Sequence, residues 1–365
     1  MIVFKPLAAR AAPIQSTGLI GWMRLNLFSN IINSVVTLLI AGLLLMTLPD
    51  LIDWLFIKAT YTGESQDVCN PDGACWVFVN AWSKQFFYGS YPLESLWRIN
   101  LSLFVLFVVV AGSNFLPKNL RYPITVPALL FMPFIGLALI DGRLFGLEYV
   151  ATDYWGGFSL NVLLAAASII VSFPLSFLWV LGRQSNMPFI KTVCVILIEF
   201  FRGVPVLALF FMGSVMLPLF FAQGINIDKL IRVWIVLVLF MSGYMAEVFR
   251  GGFQAVPAGQ YEAADSLGLS YWHKTLLILL PQVIKVAMPN ILATFVMLFK
   301  NTTFLLIIGI FEMLATVQTA LSNSNWLGGH ATEGYLFVGF IFWICCFSMS
   351  MMSSSIEKKL NKSNV

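Results

Sequence analysis

Long apolar runs, separated by shorter polar stretches, alternate along almost the whole chain. A helix needs about 20 apolar residues to cross a hydrocarbon core roughly 30 Å thick. Eight runs approach that length, and the third is short and contains two prolines. The eight predicted spans are Ile31–Leu48, Ile99–Leu116, Val126–Ile140, Leu160–Leu181, Val204–Phe221, Leu230–Val248, Pro289–Phe311 and Tyr335–Met352. The pattern therefore predicts an all-α polytopic membrane protein with about eight transmembrane helices.

The composition agrees with a chain whose main solvent is lipid. Of the 365 residues, 59% are hydrophobic and 10% are charged, whereas a soluble domain has about 25% charged residues. A net charge of +4 without a basic block excludes a nucleic-acid partner. Two histidines leave little material for a metal site or a histidine-based catalyst, so we expect neither.

The positions of Lys and Arg predict the orientation of the spans. With a cytoplasmic N-terminus, fourteen of these residues fall in inside segments and six in outside segments, and Lys300 is left in the membrane. Lys229 and Arg232 are the outside pair that runs against the trend. We therefore expect both termini to be cytoplasmic, with residues 357–365 as a cytoplasmic tail.

The first outside loop, residues 49–98, is the longest polar segment. It contains Cys69 and Cys75 on either side of the turn-forming sequence at residues 70–73. In an oxidising space the two cysteines are expected to form a disulfide, and the alternative is two free thiols. The composition changes near residue 150, so we divide the chain into residues 1–150, with three spans, and residues 151–356, with five.

The inside segment between the sixth and seventh spans carries the signals of a short helix. Gly251 and Gly252 are expected to end the sixth span, and Pro257 suits the first turn of a new helix. The composition predicts a helix over residues 260–267, and Gly268 is able to take the positive φ that ends it.

Two features of this short helix suit docking into a groove on another protein. Ala263 and Ala264 make it thin on one side, and Leu269, Tyr271 and Trp272 add apolar bulk just beyond it. The alternative is a helix that lies on the lipid surface, although residues 260–268 have no strong apolar face.

Two pairs of opposite charges have helical spacing near predicted span ends. Glu199 and Arg202 are three residues apart and are expected to pair at the cytoplasmic interface, with Pro205 opening the fifth span. The alternative is one long span from Ile190 that buries both charges. Glu247 precedes Arg250 by one turn, which predicts an interfacial salt bridge.

Lys300 is the one charge that the pattern places at membrane depth. It follows Pro289 by eleven residues, or about 16 Å of helix, which is near the bilayer midplane. A charge there is a functional candidate, and Asn301, Thr302 and Thr303 follow it. One interpretation is the translocation path. The other is a structural tie to Glu247 or to a carbonyl.

Glu312 and Glu333 fall in the last outside loop, which has no Lys or Arg. We expect them either to meet a soluble partner or to be solvated.

Several of these motifs occur together in a known family. The sequence Glu262-Ala263-Ala264, followed at fixed spacing by Gly268 and by Leu280-Pro281, resembles the EAA loop of bacterial ABC importer permeases. Residues 199–205, 246–252, 281–282 and 300–303 resemble the polar-amino-acid permeases of the histidine/glutamine type. The family usually has Asp after the Lys and Ser in the fourth place, where this chain has Asn301 and Thr303. The resemblance covers about residues 155–356.

The N-terminal part extends the resemblance to a subtype. Three additional spans and a large outside loop look like the general L-amino-acid (Aap-type) uptake permeases, and residues 22–28 look like their M subunit.

The resemblance implies a type I permease core over residues 151–356, with an EAA coupling loop at about 251–281. It implies that Glu262, Ala263, Ala264 and Gly268, with Leu269 and Tyr271, contact a separate ATPase dimer that binds ATP and Mg. It further implies a homologous second permease, a periplasmic amino-acid-binding protein and an amino-acid substrate, in a bacterial inner membrane. The chain has no Gly-Lys pair and hence no Walker A motif, so we expect it to bind no cofactor itself.

Two other functions are alternatives to the importer. A secondary, ion-coupled amino-acid transporter is expected to show inverted repeats and several intramembrane charges, and the sequence shows neither. A membrane enzyme needs a nucleophile with a base, or a metal cluster, at membrane depth. We therefore predict a permease subunit of an ATP-driven amino-acid importer, with no catalytic residue of its own.

Overall fold

The computed structural model describes residues 18–112, 116–222, 226–326 and 329–362. This part of the chain is helical and contains no β-strand. Seven of the described helices are long and apolar enough to cross a membrane, and there are eight if one bent pair counts as a span. The predicted all-α membrane fold is confirmed. The N-terminal charges Lys5 and Arg10 and the end of the predicted tail lie outside the described residues.

Contacts divide the chain into two units, residues 1–77 and 78–365. The boundary predicted near residue 150 marks the start of the permease core and not a division by contacts. It stays a prediction.

The described part of the first unit, from residue 18, contains one candidate span and a cross-linked loop. Its helices are α1 (Gly18–Asn26) and α2 (Ile31–Ile52), which continues as a π-helix over Asp53–Ile57. The side chain of Asn30 caps α2 by accepting from the N–H of Asn33. In the loop Cys69 and Cys75 form a disulfide, with their Cα atoms 5.4 Å apart.

The second unit holds the remaining helices. In chain order they are α3 (Trp76–Tyr88, beginning at the boundary), α4 (Leu96–Gly112), α5 (Lys118–Asp141), α6 (Gly157–Gln184), α7 (Pro188–Gly203), α8 (Val206–Phe211), α9 (Lys229–Ala255), α10 (Ala258–Ser266), α11 (Tyr271–His273), α12 (Leu280–Asn301), α13 (Met313–Leu321) and α14 (Ala331–Lys362).

Helix α9 is the centre of the second unit, because it packs against α6, α7 and α12. Its large side chains Leu237, Met241, Met245 and Phe249 are fully buried. The facing side of α6 includes small polar residues whose hydroxyls bond to backbone carbonyls within the helix, as Ser168 does to Leu164. These residues let the helices approach closely without leaving a polar group unsatisfied.

The fifth predicted span, Val204–Phe221, is not a straight helix. Helix α7 and the segment Val206–Phe220 meet at an angle of 105°. Val204 is extended (φ −88°, ψ 132°) because the ring of Pro205 disfavours the helical conformation in the residue before it. Beyond α8 the segment becomes a π-helix over Met212–Met216 and a 3-10 helix over Leu217–Phe220. One long straight span from Ile190 is also excluded.

The seventh predicted span begins too late. A continuous helical stretch runs over Tyr271–Ile308, 38 residues, rather than from Pro289. Ser270 starts it by accepting from the N–H of His273. A π-helix over Lys274–Leu279 precedes α12, and Pro281, which has no N–H to donate to the preceding turn, lies two residues after that π-helix. A 3-10 helix over Thr302–Ile308 completes the stretch.

The glycine pair does not release the chain from the sixth span. Helix α9 continues through Gly251 and Gly252 to Ala255. A Cβ at Gly252 would lie 2.8 Å from Val283 Cγ1 and 3.1 Å from its carbonyl oxygen. Gly252 therefore lets α9 and α12 cross at close range, and Gly251 has open space around it.

Candidate functional site

Helix α10 is short and has a defined end. Pro257 is its N-cap residue, and Gly268 has the predicted positive φ of +67°. The N–H of Leu269 donates to the carbonyl of Ala264, 3.2 Å away, which closes the helix end. No atom lies within 4 Å of a Cβ built on Gly268, so glycine is required here by the backbone conformation and not by crowding.

The two alanines of α10 face different ways. Ala264 is buried within this chain, whereas Ala263 and its neighbour Glu262 are exposed. Of the predicted thin face, Ala263 alone is therefore open to a partner in this structure.

Three side-chain contacts fix α10 to the rest of the unit. The hydroxyl of Tyr261 donates to the carbonyl of Phe253 at the end of α9 (3.0 Å). Gln282 on α12 donates to the side-chain oxygen of Gln260 (3.0 Å). Lys274 pairs with Asp265 at 2.6 Å. These contacts join α10 to α9, to the π-helix over Lys274–Leu279 and to α12.

Apolar side chains lie exposed beside this anchored helix. Tyr271 and Trp272 are about half exposed and make an edge-to-face ring contact at 5.4 Å. Leu267 is 76% exposed and was not among the predicted site residues, although its position just before Gly268 marks it as the last side chain of the turn. Leu269 is half-buried. Exposed rings and leucines next to an anchored helix are typical of a protein docking surface.

Five charged residues from three helices form one network, which we call the charge cluster: Arg183, Glu199, Arg202, Glu247 and Arg250. Both predicted pairs are present, since Arg202 lies 3.4 Å from Glu199 and Arg250 contacts Glu247 directly. Arg183, at the end of α6, joins the two pairs by contacting Glu199 at 3.1 Å and Glu247 at 3.4 Å. Arg202 also lies 3.6 Å from Glu247.

Sequence reasoning missed Arg183 in this cluster. It is sixteen residues from Glu199, which has no helical spacing signal, and only the packing of α6 on α7 and α9 brings them together. The cluster contains three guanidinium groups and two carboxylates, so it carries one excess positive charge.

A cavity of about 420 Å³ adjoins the charge cluster. It is lined by Arg202, Tyr244, Glu247, Val248, Gly251, Gly252, Val286, Ala287 and Asn290. It lies between α9 and α12, at the end of α9 that leads to α10. The cavity therefore combines an arginine, a glutamate and two neutral polar groups with a small apolar wall.

Lys300 lies in the last turn of α12 and is exposed. Among the described residues it makes no ion pair, and Glu247 has arginine partners instead, so the structural tie to Glu247 is wrong. About eight residues of mostly 3-10 helix, or about 16 Å, separate Lys300 from the end of the stretch at Ile308. Thr303 bonds back to the carbonyl of Lys300 (2.8 Å), and Asn301 is half-buried.

Thr302 belongs to a second polar group, which we call the buried node: Asn161, Thr302 and Glu312. All three residues are fully buried. Asn161 donates to the Thr302 hydroxyl (2.9 Å) and to Glu312 Oε2 (3.1 Å), and its own oxygen accepts from the N–H of Met313 (3.2 Å). The node thus joins the beginning of α6, the 3-10 helix after α12 and the beginning of α13.

Both alternatives for Glu312 and Glu333 are wrong, because both side chains are buried and are therefore neither solvated nor open to a soluble partner in this structure. Glu312 caps α13 and accepts from the N–H groups of Leu314 (3.0 Å) and Ala315 (2.9 Å). Burial raises the pKa of Glu312 to about 7, and the bonds from Leu314, Asn161 and Ala315 oppose that rise. Glu333 is buried too, with His330 at 3.8 Å.

Comparisons with known proteins agree with these features. Residues 179–362 match the family described as binding-protein-dependent transport system inner membrane component. The chain is 44% identical to the inner membrane amino-acid ABC transporter permease protein YhdY of Escherichia coli (strain K12), over 96% of both chains. It is 34% identical to the glutamate/glutamine/aspartate/asparagine transport system permease protein BztC of Rhodobacter capsulatus, over 98% of this chain and 97% of that one.

Shorter relatives match only the C-terminal part. The probable glutamine ABC transporter permease protein GlnP of Bacillus subtilis is 27% identical over 56% of this chain and 91% of its own length. A crystal structure of an amino acid ABC transporter with histidines superposes with a TM-score of 0.50 and 25% identity, over 56% of this chain and 92% of that chain.

Proposed function

This chain belongs to the family of binding-protein-dependent transport system inner membrane components, as a permease subunit of an ABC transporter, and on that premise we propose that it carries amino acids into the cell. It is a transport component, not an enzyme. The family works with an ATPase and a substrate-binding partner. Amino acids are proposed as the cargo because full-length relatives are named for them.

The observation that carries the proposal is the geometry of α10. It is an exposed short helix tied by Tyr261, Gln260 and Asp265 to α9 and α12. We infer that Glu262 and Ala263, with the chain reversal at Gly268 and the apolar side chains of Leu269 and Tyr271, contact the ATPase. Closure of the ATPase on ATP then moves α9 and α12 through these three contacts.

The arrangement of the rest of the chain follows from the same proposal. Residues 151–356 are the permease core, and residues 1–150 are an extension, which is supported by the shorter relatives that match little more than half of the chain. The side of the membrane that holds α10 is the cytoplasm, and both termini are on that side. Because of its N-terminal extension and outer loop, we assign the chain as the M-type subunit of a general L-amino-acid permease. This subunit pairs with a homologous second permease.

Lys300 and its neighbours are proposed to face the translocation path. Lys300 is exposed on the single chain, and an ammonium group at this depth is costly against lipid. A path between two permeases, or a substrate carboxylate within it, would lower that cost. Asn301 and Thr303 lie beside it, whereas Thr302 points into the buried node and serves structure.

The test of the coupling role compares two charge reversals of similar exposure. Glu262→Lys, on the exposed face of α10, is expected to reduce ATP-driven amino-acid uptake in proteoliposomes about tenfold or more. The reason is that it reverses the charge of a side chain at the proposed docking surface. The control Glu94→Lys lies at an exposed position of the 3-10 helix over Leu93–Ser95, distant in sequence from α10, and is expected to leave uptake unchanged.

Co-purification of the ATPase subunit is measured on the same two proteins. Loss of the ATPase from the Glu262→Lys complex, with membrane insertion intact, supports the coupling role. Full uptake by Glu262→Lys contradicts it, and uptake by the unmutated chain in vesicles without ATP contradicts the importer itself.

A further inference from the structure

We propose that the cavity between α9 and α12 binds the α-carboxylate and α-ammonium groups of an amino acid, with Arg202 and Glu247 as their partners. The inference rests on the proposed cargo and adds a binding station at the α10 end of the permease. Lys300 is in the last turn of α12, some ten residues beyond Asn290, and so belongs to a separate part of the path.

The charges of the cluster favour a carboxylate beside Arg202. Three guanidinium groups face two carboxylates, and Arg202 holds both carboxylates only at 3.4 Å and 3.6 Å. These contacts are longer than the 2.7–2.9 Å of strong charge-assisted bonds. A carboxylate entering the cavity therefore gains a guanidinium whose present contacts with Glu199 and Glu247 are long.

Glu247 selects against a simple anion. It lines the same cavity as Arg202, and its side chain is 22% exposed. A second negative charge on the ligand would be repelled by it, whereas an ammonium group would be attracted once the ligand carboxylate has drawn Arg202 away from its 3.6 Å contact with Glu247. An acid with an adjacent ammonium group fits this arrangement, and a dianion such as phosphate does not.

The neutral lining fits the same ligand. The Tyr244 hydroxyl and the exposed Asn290 amide offer hydrogen bonds, while Val248, Val286 and Ala287 form an apolar wall. Tyr244 at present bonds only weakly, to the carbonyl of Arg202 at 3.4 Å. The volume of about 420 Å³ holds a small molecule rather than a peptide.

Cysteine protection tests the site on the purified full-length chain in nanodiscs. The free cysteines Cys194, Cys345 and Cys346 are replaced by alanine, and Asn290→Cys is labelled with a thiosulfonate. L-Glutamine is expected to slow labelling. Its α-amide, which lacks the carboxylate, and glutaramate, which lacks the ammonium group, are each expected to need concentrations about tenfold higher, because each loses one charge-assisted contact. Inorganic phosphate is expected to give no protection.

Two glutamate variants give a matched pair. Glu199 and Glu247 both pair with Arg183 and Arg202, but only Glu247 lines the cavity. In the Asn290→Cys background, Glu247→Gln is expected to abolish the preference for L-glutamine over glutaramate, whereas Glu199→Gln is expected to keep it. A merely structural role for the cluster would make the two variants alike.

The labelling control is Gln254→Cys, which is exposed on α9 but does not line the cavity. It is expected to react at the same rate with and without L-glutamine. Equal labelling of Asn290→Cys with and without L-glutamine overturns the inference. If that result accompanies intact ATP-driven uptake of glutamine, the proposed importer function stands and only the binding station fails.

Discussion

The charge cluster and the buried node both tie three helical segments together through carboxylates, yet they do so by different physics. The cluster is partly exposed, and each of its carboxylates has arginine partners. The node is fully buried, and Glu312 is held there by an amide and two backbone N–H groups, without a cation among its described contacts.

Solvent access explains why the carboxylates of the charge cluster pair with arginines, whereas the Glu312 carboxylate of the buried node does not. Near water an ion pair forms and breaks with little change in free energy, because solvent replaces a lost partner. In a buried site without water every polar atom needs a hydrogen-bond partner. An atom that loses its partner there carries the full free-energy cost of its desolvation. The node is therefore suited to fixing one arrangement of α6 and α13, and the cluster is suited to rearrangement during transport.

The strongest way to break the comparison is to remove the amide of the node. Asn161→Leu takes one hydrogen bond each from Glu312 and Thr302 and leaves the buried N–H of Met313 without its acceptor, so the free energy of unfolding is expected to fall by about 3 kcal/mol. The measurement is the thermal midpoint in detergent. Asn290→Leu, an exposed amide on α12, is the control and is expected to stay near the unmutated chain. Equal midpoints for the two variants would show that the node is not a stabilising element.

The second test titrates the node. The pKa of Glu312 is about 7 in the folded protein and near its ordinary value of 4.5 in the unfolded chain. The folded state thus binds the proton more tightly, so the contribution of Glu312 to stability is complete below about pH 4.5 and is lost as the pH rises through about 7.

Glu312→Gln keeps a neutral side chain that can still accept from the N–H groups of α13. Its midpoint is therefore expected to vary less with pH than that of the unmutated chain across this window, and to exceed it above about pH 7. Parallel pH profiles for the two proteins would contradict the assignment of a raised pKa to Glu312.

The contrast also shows what the sequence was able to predict. Apolar runs predicted the spans, and the proline and glycine signals predicted α10 and its end at Gly268, because these are local properties of the chain. The i, i+3 pairs of the cluster were predicted for the same reason. Arg183 and the node were not, because their partners are brought together only by helix packing.

Glu312 carried a local signal that was overlooked. It stands directly before the apolar helix Met313–Leu321, the position from which an acidic side chain caps a helix. A polar loop between spans is expected to be solvated, whereas residues of α6 and of the 3-10 helix after α12 cover Glu312. The bend at Gly203–Pro205 was likewise signalled by Pro205, but the 105° angle depends on what each half packs against.

A smaller effect is expected from opening the charge cluster at its centre. Glu247→Gln removes one of two carboxylates from three guanidinium groups, and the side chain is only 22% exposed. The expected loss in the free energy of unfolding is about 1–2 kcal/mol, part of it from repulsion among the arginines. Urea unfolding at low and high salt checks this value, and added salt is expected to reduce the loss. A loss as large as that of Asn161→Leu would remove the distinction between the two regions.

The smallest effect is expected for Glu199→Gln, which sharpens the comparison within the cluster itself. Glu199 is 52% exposed, and its contacts with Arg183 and Arg202 are at 3.1 Å and 3.4 Å, so water replaces most of what the carboxylate provides. The free energy of unfolding is expected to fall by a few tenths of a kcal/mol, and about 0.5 kcal/mol at most. The same urea measurement, with Glu247→Gln beside it, gives the ratio of the two losses. A ratio near one would mean that exposure does not control these ion pairs, and the contrast between a loose cluster and a rigid node would then have to rest on the node alone.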